Sequence, residues 1–284
     1  MAQIVNQTRE EYFADETRCN ASTAKIIINS GGYGMGFHPE YSGTELGNAI
    51  HKFCETLNSK TIISLPDATG TKTYKTVKSQ EFIAQHSGLQ VLTPSDYDSY
   101  SRLLEAFNSR NDPDTKYIRD IVTNPKALKE VVIHFELSGV PCKAMIDLLI
   151  LDDEKKTAYK VDHKSSSTKT PSEFDYSYNN KGYWFSDAWY TEAVTQLGYS
   201  VEKSELFVFQ TVEPYNIYPM TVDLAEFEEI FPFMNVIALD WQQIKRSGEF
   251  YGYRRSHGHT NKLTLNGVTK KIIKSRMNNI FGEI

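Results

Sequence analysis

The sequence predicts a mixed α/β fold, with a central mixed sheet flanked by helices. Three observations lead there. Three strand-like runs succeed one another through the middle of the 284-residue chain with only short polar turns between them. An amphipathic helix precedes them. A long aromatic-rich helical stretch then separates them from two further strand-like runs. Helix, three strands, helix and further strand give one sheet with helices packed on it.

The elements follow in order. A mixed segment runs to about Ser42 and includes the turn-prone SGGYGMG (Ser30 to Gly36). A helix is expected from Thr44 to Asn58, because Leu46, Ile50, Cys54 and Leu57 recur at helical spacing as an apolar stripe. TGTKTYKT (Thr69 to Thr76) reads as a short hairpin or exposed loop, and TPSDYDSYSRLLEAFNSR gives a helix start at Ser95 with acids in its first turn. Strands are expected at Val131–Leu137, Pro141–Asp152 and Thr157–Lys164; the connections SGV and DDEKK are short enough to make them an antiparallel meander. A helical stretch over Asn180–Tyr199, strands at Glu205–Val212 and Asn216–Val222, and a C-terminal helix or pair of helices complete the chain. No repeat or Pro/Gly-rich linker divides it. The expectation is therefore one compact unit over 1–284, with a core at about 44–225 and a basic segment at about 226–284.

Composition narrows the classes. Hydrophobic residues make up 40% and charged residues 24%, ordinary for a globular protein. No apolar run approaches the roughly 20 residues that cross a bilayer, and the opening MAQIVNQTREEYFADE lacks the apolar core of a secretory signal. Cys19, Cys54 and Cys142 lie far apart without CxxC pairing, so neither a disulfide framework nor a thiolate metal site is indicated. The expected compartment is a reducing cytoplasm, with no membrane partner. Net charge is −5, yet from Asp240 to Ile284 nine Lys or Arg face three acids. That asymmetry suits a protein that meets a polyanion on one side, although a solvated basic tail has the same composition.

The chemistry concentrates in the meander. Asp162 and Lys164 are two apart on a strand and so project to one face. Asp147 lies among Met145, Ile146, Leu148, Leu149 and Ile150, where a carboxylate is costly unless it is paired or coordinates a cation. The two strands are hairpin partners, so Asp147 and Asp162 can converge. Converging carboxylates need a cation, and oxygen ligands favour Mg²⁺ or Mn²⁺. Such an ion with an adjacent lysine is the minimal outfit for phosphodiester hydrolysis. A bare D-x14-D-x-K spacing is a weak signal, since an Asp–Lys pair can be a plain salt bridge. His51 is either a partly exposed helix histidine or an additional metal ligand; Glu55, one turn on, reads as a surface acid. Tyr183 and Tyr190, seven apart, share a helix face that could stack bases or sugars. Lys160, Lys169 and Lys181 are near enough in sequence to meet phosphates, although solvated lysines are the default.

Taken in order, GNAIH (Gly47 to His51), ELSGVPCKAMID (Glu136 to Asp147), VDHKSSS and GYWFSDAWY (Gly182 to Tyr190) resemble the RecE-type exonuclease VIII family, a phage and prophage branch of the RecB-like PD-(D/E)xK nucleases. EEYFADETRCNASTAKIIINS, FVFQTVEPYNIYPMTVD and DWQQIKRSGEFYGY extend the resemblance from about residue 10 to 255. It implies a PD-(D/E)xK restriction-endonuclease-like core, with Asp147, Asp162 and Lys164 catalytic. The implied metal set is His51, Asp147, Asp162 and the main-chain carbonyl of His163. It further implies Mg²⁺-dependent 5′ to 3′ digestion of linear double-stranded DNA from its ends in phage-type recombination, a single-strand annealing partner and a homo-oligomer. One departure stands out. The family's Q-x-x-x-Y motif falls on Ser186 and Tyr190, and serine is too short to hold substrate as glutamine would. The alternatives this leaves open are an endonuclease or nickase on the same core, and a catalytically weak DNA-binding or assembly module.

Overall fold

The computed structural model describes residues 2–30, 45–66 and 73–248. The chain begins with β1 (Gln3–Val5), α1 (Arg9–Ala14), α2 (Ala21–Ser30) and α3 (Glu45–Thr56). Next come β2 (Ile62–Ser64), α4 (Val77–Gln85), β3 (Gln90–Leu92), α5 (Pro94–Ser109) and α6 (Pro113–Val122). The meander is β4 (Leu128–Leu137), β5 (Val140–Asp152) and β6 (Thr157–Ser166). Then follow α7 (Pro171–Asn180), α8 (Tyr183–Gln196), β7 (Ser200–Gln210), β8 (Ile217–Thr221) and α9 (Phe231–Ser247).

Three of these helices start on one local rule. Thr93, Asp112 and Thr170 each accept a backbone N–H from the first turn, and each is followed by a proline that needs no donor there. The start of α5 is thus set by Thr93, just ahead of the expected Ser95.

Six strands form one mixed sheet in the order β1-β4-β5-β6-β7-β8. All its ladders are antiparallel except β6·β7, which is parallel, because α7 and α8 carry the chain back over the sheet between those two strands. The expected antiparallel meander is present. The expected helical stretch over Asn180–Tyr199 is present as α8; a further helix, α7, precedes it and ends at Asn180, and Gly182, in the left-handed region at φ 63°, separates the two.

Helices cover both faces. On one, Ala24, Ile27, Phe185, Trp189, Phe233, Met234 and Ile237 from α2, α8 and α9 bury the inward residues of β4 and β5. On the other, Leu46, Ile50, Phe53, Leu103, Phe107 and Ile118 from α3, α5 and α6 pack on Leu148, Val161, Phe207 and Phe209. Each fully buried residue of this size contributes about 1.5–3 kcal/mol of transfer free energy. The sheet and its core extend outside 44–225: β1 pairs with β4 at the edge, and buried Lys143 donates to the Tyr12 and Asp15 carbonyls at the end of α1. No helix among the described residues is long and apolar enough to cross a membrane. The SGGYGMG segment after Ser30, the first half of the Thr69–Thr76 stretch and the basic segment beyond Gly248 lie outside the described residues.

Candidate active site

The site begins where the sheet opens. The β5·β6 ladder runs from Asp152↔Thr157 to Leu148↔Val161 and then ends, while β6 continues along β7 and β5 along β4. Asp147 and Asp162 are the next pair beyond that fork. The β4·β5 ladder also skips a step there: Lys129↔Leu148 and Val131↔Ile146 are partners, but Glu130, at φ 49°, is not paired with Asp147. Three carboxylates therefore occupy one row across three strands.

Each acid meets its own base. Arg9 of α1 lies 3.0 Å from Glu130, His51 Nδ1 of α3 lies 3.3 Å from Asp147 Oδ1, and Lys164 Nζ contacts Asp162 Oδ2. Asp147 Oδ2 accepts the backbone N–H of His163 at 2.6 Å, so this one carboxylate spans the fork. Alternation along β6 points Asp162 and Lys164 to the α8 side, with Lys164 Nζ 5.0 Å from the Tyr183 ring centre. The His163 ring points to the opposite face, stacked on Phe207 (centroids 6.1 Å, planes 30°) and edge-on to Phe209.

This brings His51, Asp147 and His163 into a cluster whose ligand atoms all lie within 4.8 Å of one another. His51 Nδ1 and His163 Nε2 are buried without a hydrogen-bond partner; the His51–Asp147 approach is close enough for charge attraction but lacks hydrogen-bond geometry. Two orphaned imidazole nitrogens beside a carboxylate are donors in want of a cation. A divalent ion fits these residues. The imidazoles suit Mn²⁺ at least as well as Mg²⁺.

Charge placement agrees. Burial alone would raise the Asp147 carboxyl, but His51, His163 and Lys164 outweigh it and hold it well below the usual range. Burial pushes Asp162 up to about 6 against the pull of Lys164, with Asp147 and Asp187 adding to the rise. Glu130 is pushed up to about 7 by burial and by Asp147, with Arg9 opposing. Burial drives His163 down to about 3, so its ring is neutral. Burial depresses Lys164 and His51, but Asp162 in the first case and Asp147 in the second more than reverse it.

The remaining expected residues fall in different places. Tyr183 and Tyr190 are both partly buried on α8, and the Tyr190 phenol is pushed up by burial and by the charge of Asp162. Ser186, one turn before Tyr190, is buried. Glu55 pairs with Lys52 at the surface, as expected of a surface acid. Lys160 is corrected outright: it is 1% exposed and tied to Asp187 and Ser204, which removes it from any phosphate-binding role. Glu130 and the His163 ring were not legible in the sequence. A left-handed residue inside a strand leaves no pattern, and alternation alone sends His163 away from Asp162.

No protein-family model matches the sequence, and no curated protein matches it. Among solved structures, the chain is similar to a protein from Eubacterium rectale provisionally described as an exonuclease. They share 14% identity over 92% of this chain and 95% of that one, with a TM-score of 0.55. The structure of the protein SSO0001 is also 14% identical, over 85% of this chain and 97% of that one, but its TM-score of 0.29 carries no argument. The first likeness is one of fold: a mixed α/β architecture built on a six-stranded sheet with helices on both faces.

Proposed function

We propose that the chain is a divalent-metal-dependent nuclease that hydrolyses phosphodiester bonds in linear double-stranded DNA. The observation that carries this reading is the strand fork, where Asp147, Asp162 and Lys164 lie side by side and His51 reaches Asp147 from α3. His51 and Asp147 would hold the ion, with Asp162 or the His163 ring completing the set. A divalent ion there supplies Lewis acidity to a water and charge neutralisation to the phosphate. Lys164, poised between Asp162 and the Tyr183 ring, offsets negative charge growing on the phosphate oxygens and orients the attacking water. The fold shared with the E. rectale protein supports the reading. The resemblance to RecE-type exonucleases extends the proposal to Mg²⁺ or Mn²⁺ as the ion, 5′ to 3′ digestion from DNA ends, a single-strand annealing partner and a homo-oligomer.

Purified protein with Mg²⁺ or Mn²⁺ should degrade a linear duplex, spare a covalently closed circle, and stop on chelation. Lys164→Ala is expected to slow it about 10²-fold or more. Absence of degradation by the wild type, or an undiminished rate in Lys164→Ala, sinks the proposal; cutting of the circle converts it to an endonuclease. The buried Ser186 favours a second reading, a DNA-binding module with weak chemistry, since that side chain is withdrawn from any substrate path. Duplex binding without degradation would select that reading.

The donor set yields a separate expectation. Mn²⁺ should bind more tightly than Mg²⁺, and His51→Ala should weaken Mn²⁺ roughly tenfold or more while changing Mg²⁺ less. Titration calorimetry reads both ions. Equal affinity for the two, unaffected by His51→Ala, would remove the imidazole from the metal shell.

A further inference from the structure

We infer that Lys25, Lys181 and Tyr183 form a binding subsite beside Lys164 for a phosphate group of the DNA strand. This rests on the nuclease reading above and gives it a substrate contact outside the metal centre. Three ammonium groups from three different elements converge on one ring. Lys25 Nζ of α2 lies 5.9 Å from the Tyr183 ring centre, Lys164 Nζ of β6 lies 5.0 Å from it, and Lys181 Nζ at the α7–α8 junction lies 5.8 Å from it. The face of a tyrosine attracts a cation but cannot balance three. Lys164 is matched by Asp162; among the described residues no carboxylate lies within ion-pair distance of Lys25 or Lys181. Among the described residues, these two positive charges have no ion-pair partner of their own, and Asp162 reaches Lys25 only through longer-range attraction.

A second observation points the same way. Gly182 stands at the N-cap of α8 and offers no side-chain hydrogen bond to the first turn. A Cβ built there would lie 3.4 Å from Lys25 Cδ, so the Lys25 methylenes cross the amino end of α8. That end carries partial positive charge and backbone N–H groups in need of acceptors. An ammonium placed beside it is unfavourable until an anion sits between them. Phosphate oxygens accept from ammonium and backbone donors alike, and their charge matches the surplus. Lys181 is exposed, and Lys25 and Tyr183 are only partly buried, so the cluster is open to a ligand from solvent. Because Lys164 belongs both to this cluster and to the acid row, a phosphate held here would lie on the same strand as the one being cut.

The test uses the full chain and duplex oligonucleotides in Ca²⁺, with one set carrying 5′-phosphates and one carrying 5′-hydroxyls. Binding is measured across a range of salt concentrations. Lys25→Gln and Lys181→Gln should each weaken binding without regard to sequence. Each should lower the slope of log affinity against log salt by about one, and the double variant by about two. A loss confined to the 5′-phosphorylated duplex identifies the ligand as a terminal phosphate monoester; an equal loss on both sets identifies an internal diester. Lys181 is exposed, so its variant separates binding from folding. Unchanged affinity and slope in Lys181→Gln and in the double variant, with wild-type binding and cutting intact, overturns this subsite and leaves the nuclease reading standing. A wild type that binds no duplex overturns both.

Discussion

Asp147→Asn is expected to reduce cleavage of linear duplex DNA by about 10³-fold or more while moving Tm by no more than a few degrees. The Asp147 carboxylate of β5 reaches both α3 and β6: one oxygen faces His51, and the other accepts the His163 N–H. Asparagine has the same shape. Its carbonyl oxygen can keep the His163 bond, and its amide can donate to an unprotonated His51 Nδ1. Loss of the charge also relieves its repulsion with Glu130 and Asp162. The fold is therefore spared, while a divalent cation at the proposed centre would lose a charged ligand. Asp147→Ala sharpens the comparison. It removes the same charge but also strands the His163 N–H, at about 1–3 kcal/mol for a buried unpaired donor. Both variants should be inactive, and only the alanine should melt several degrees lower. Retention of more than about a tenth of the wild-type rate by the asparagine variant would take Asp147 out of the centre.

How much of this was legible in the sequence depends on the range of the interaction. The meander could be read from strand-like runs joined by short polar turns, Asp147 from the cost of a carboxylate in an apolar strand, and Asp162 from its two-residue spacing to Lys164. His51 could be placed on its helix, although nothing local brings that helix over Asp147. Three things were not legible. The parallel pairing of β6 with β7 depends on where α7 and α8 return the chain. Glu130 joins the acid row through a left-handed backbone that no residue pattern announces. Lys25 and Lys181 are more than 150 residues apart, and they meet at Tyr183 only because α2 lies across the start of α8. Patterning specifies which face a residue takes; convergence of residues from different elements is a property of the packed chain.

Asp187→Ala should be the most destabilising single change, costing about 3–5 kcal/mol and lowering Tm by about 10 °C or more. Lys160 and Asp187 are each 1% exposed and directly paired. Lys160 Nζ also donates to Ser204 Oγ at 2.6 Å, and the Tyr178 hydroxyl donates to Asp187 Oδ2 at 3.3 Å. Truncating Asp187 leaves an ammonium in a dry site with one neutral acceptor. The apolar pair Lys160→Met with Asp187→Leu removes both charges together and should restore most of the lost Tm, because burying two ions costs as much as their attraction returns. Activity should not follow stability. Lys160 stands two residues before Asp162 on the same strand face, and Asp187 lies on α8 between Tyr183 and Tyr190, so the pair fixes the register of α8 against the strand that carries Asp162 and Lys164. Apolar contact has no comparable direction. The apolar double variant is therefore expected to melt near the wild type yet cut roughly tenfold more slowly, since small misplacement of aligned groups is costly in rate. Thermal melts and a cleavage time course on the two variants separate these effects; an Asp187→Ala protein that melts within about 2 °C of the wild type would show that the pair does not fasten α8 at all.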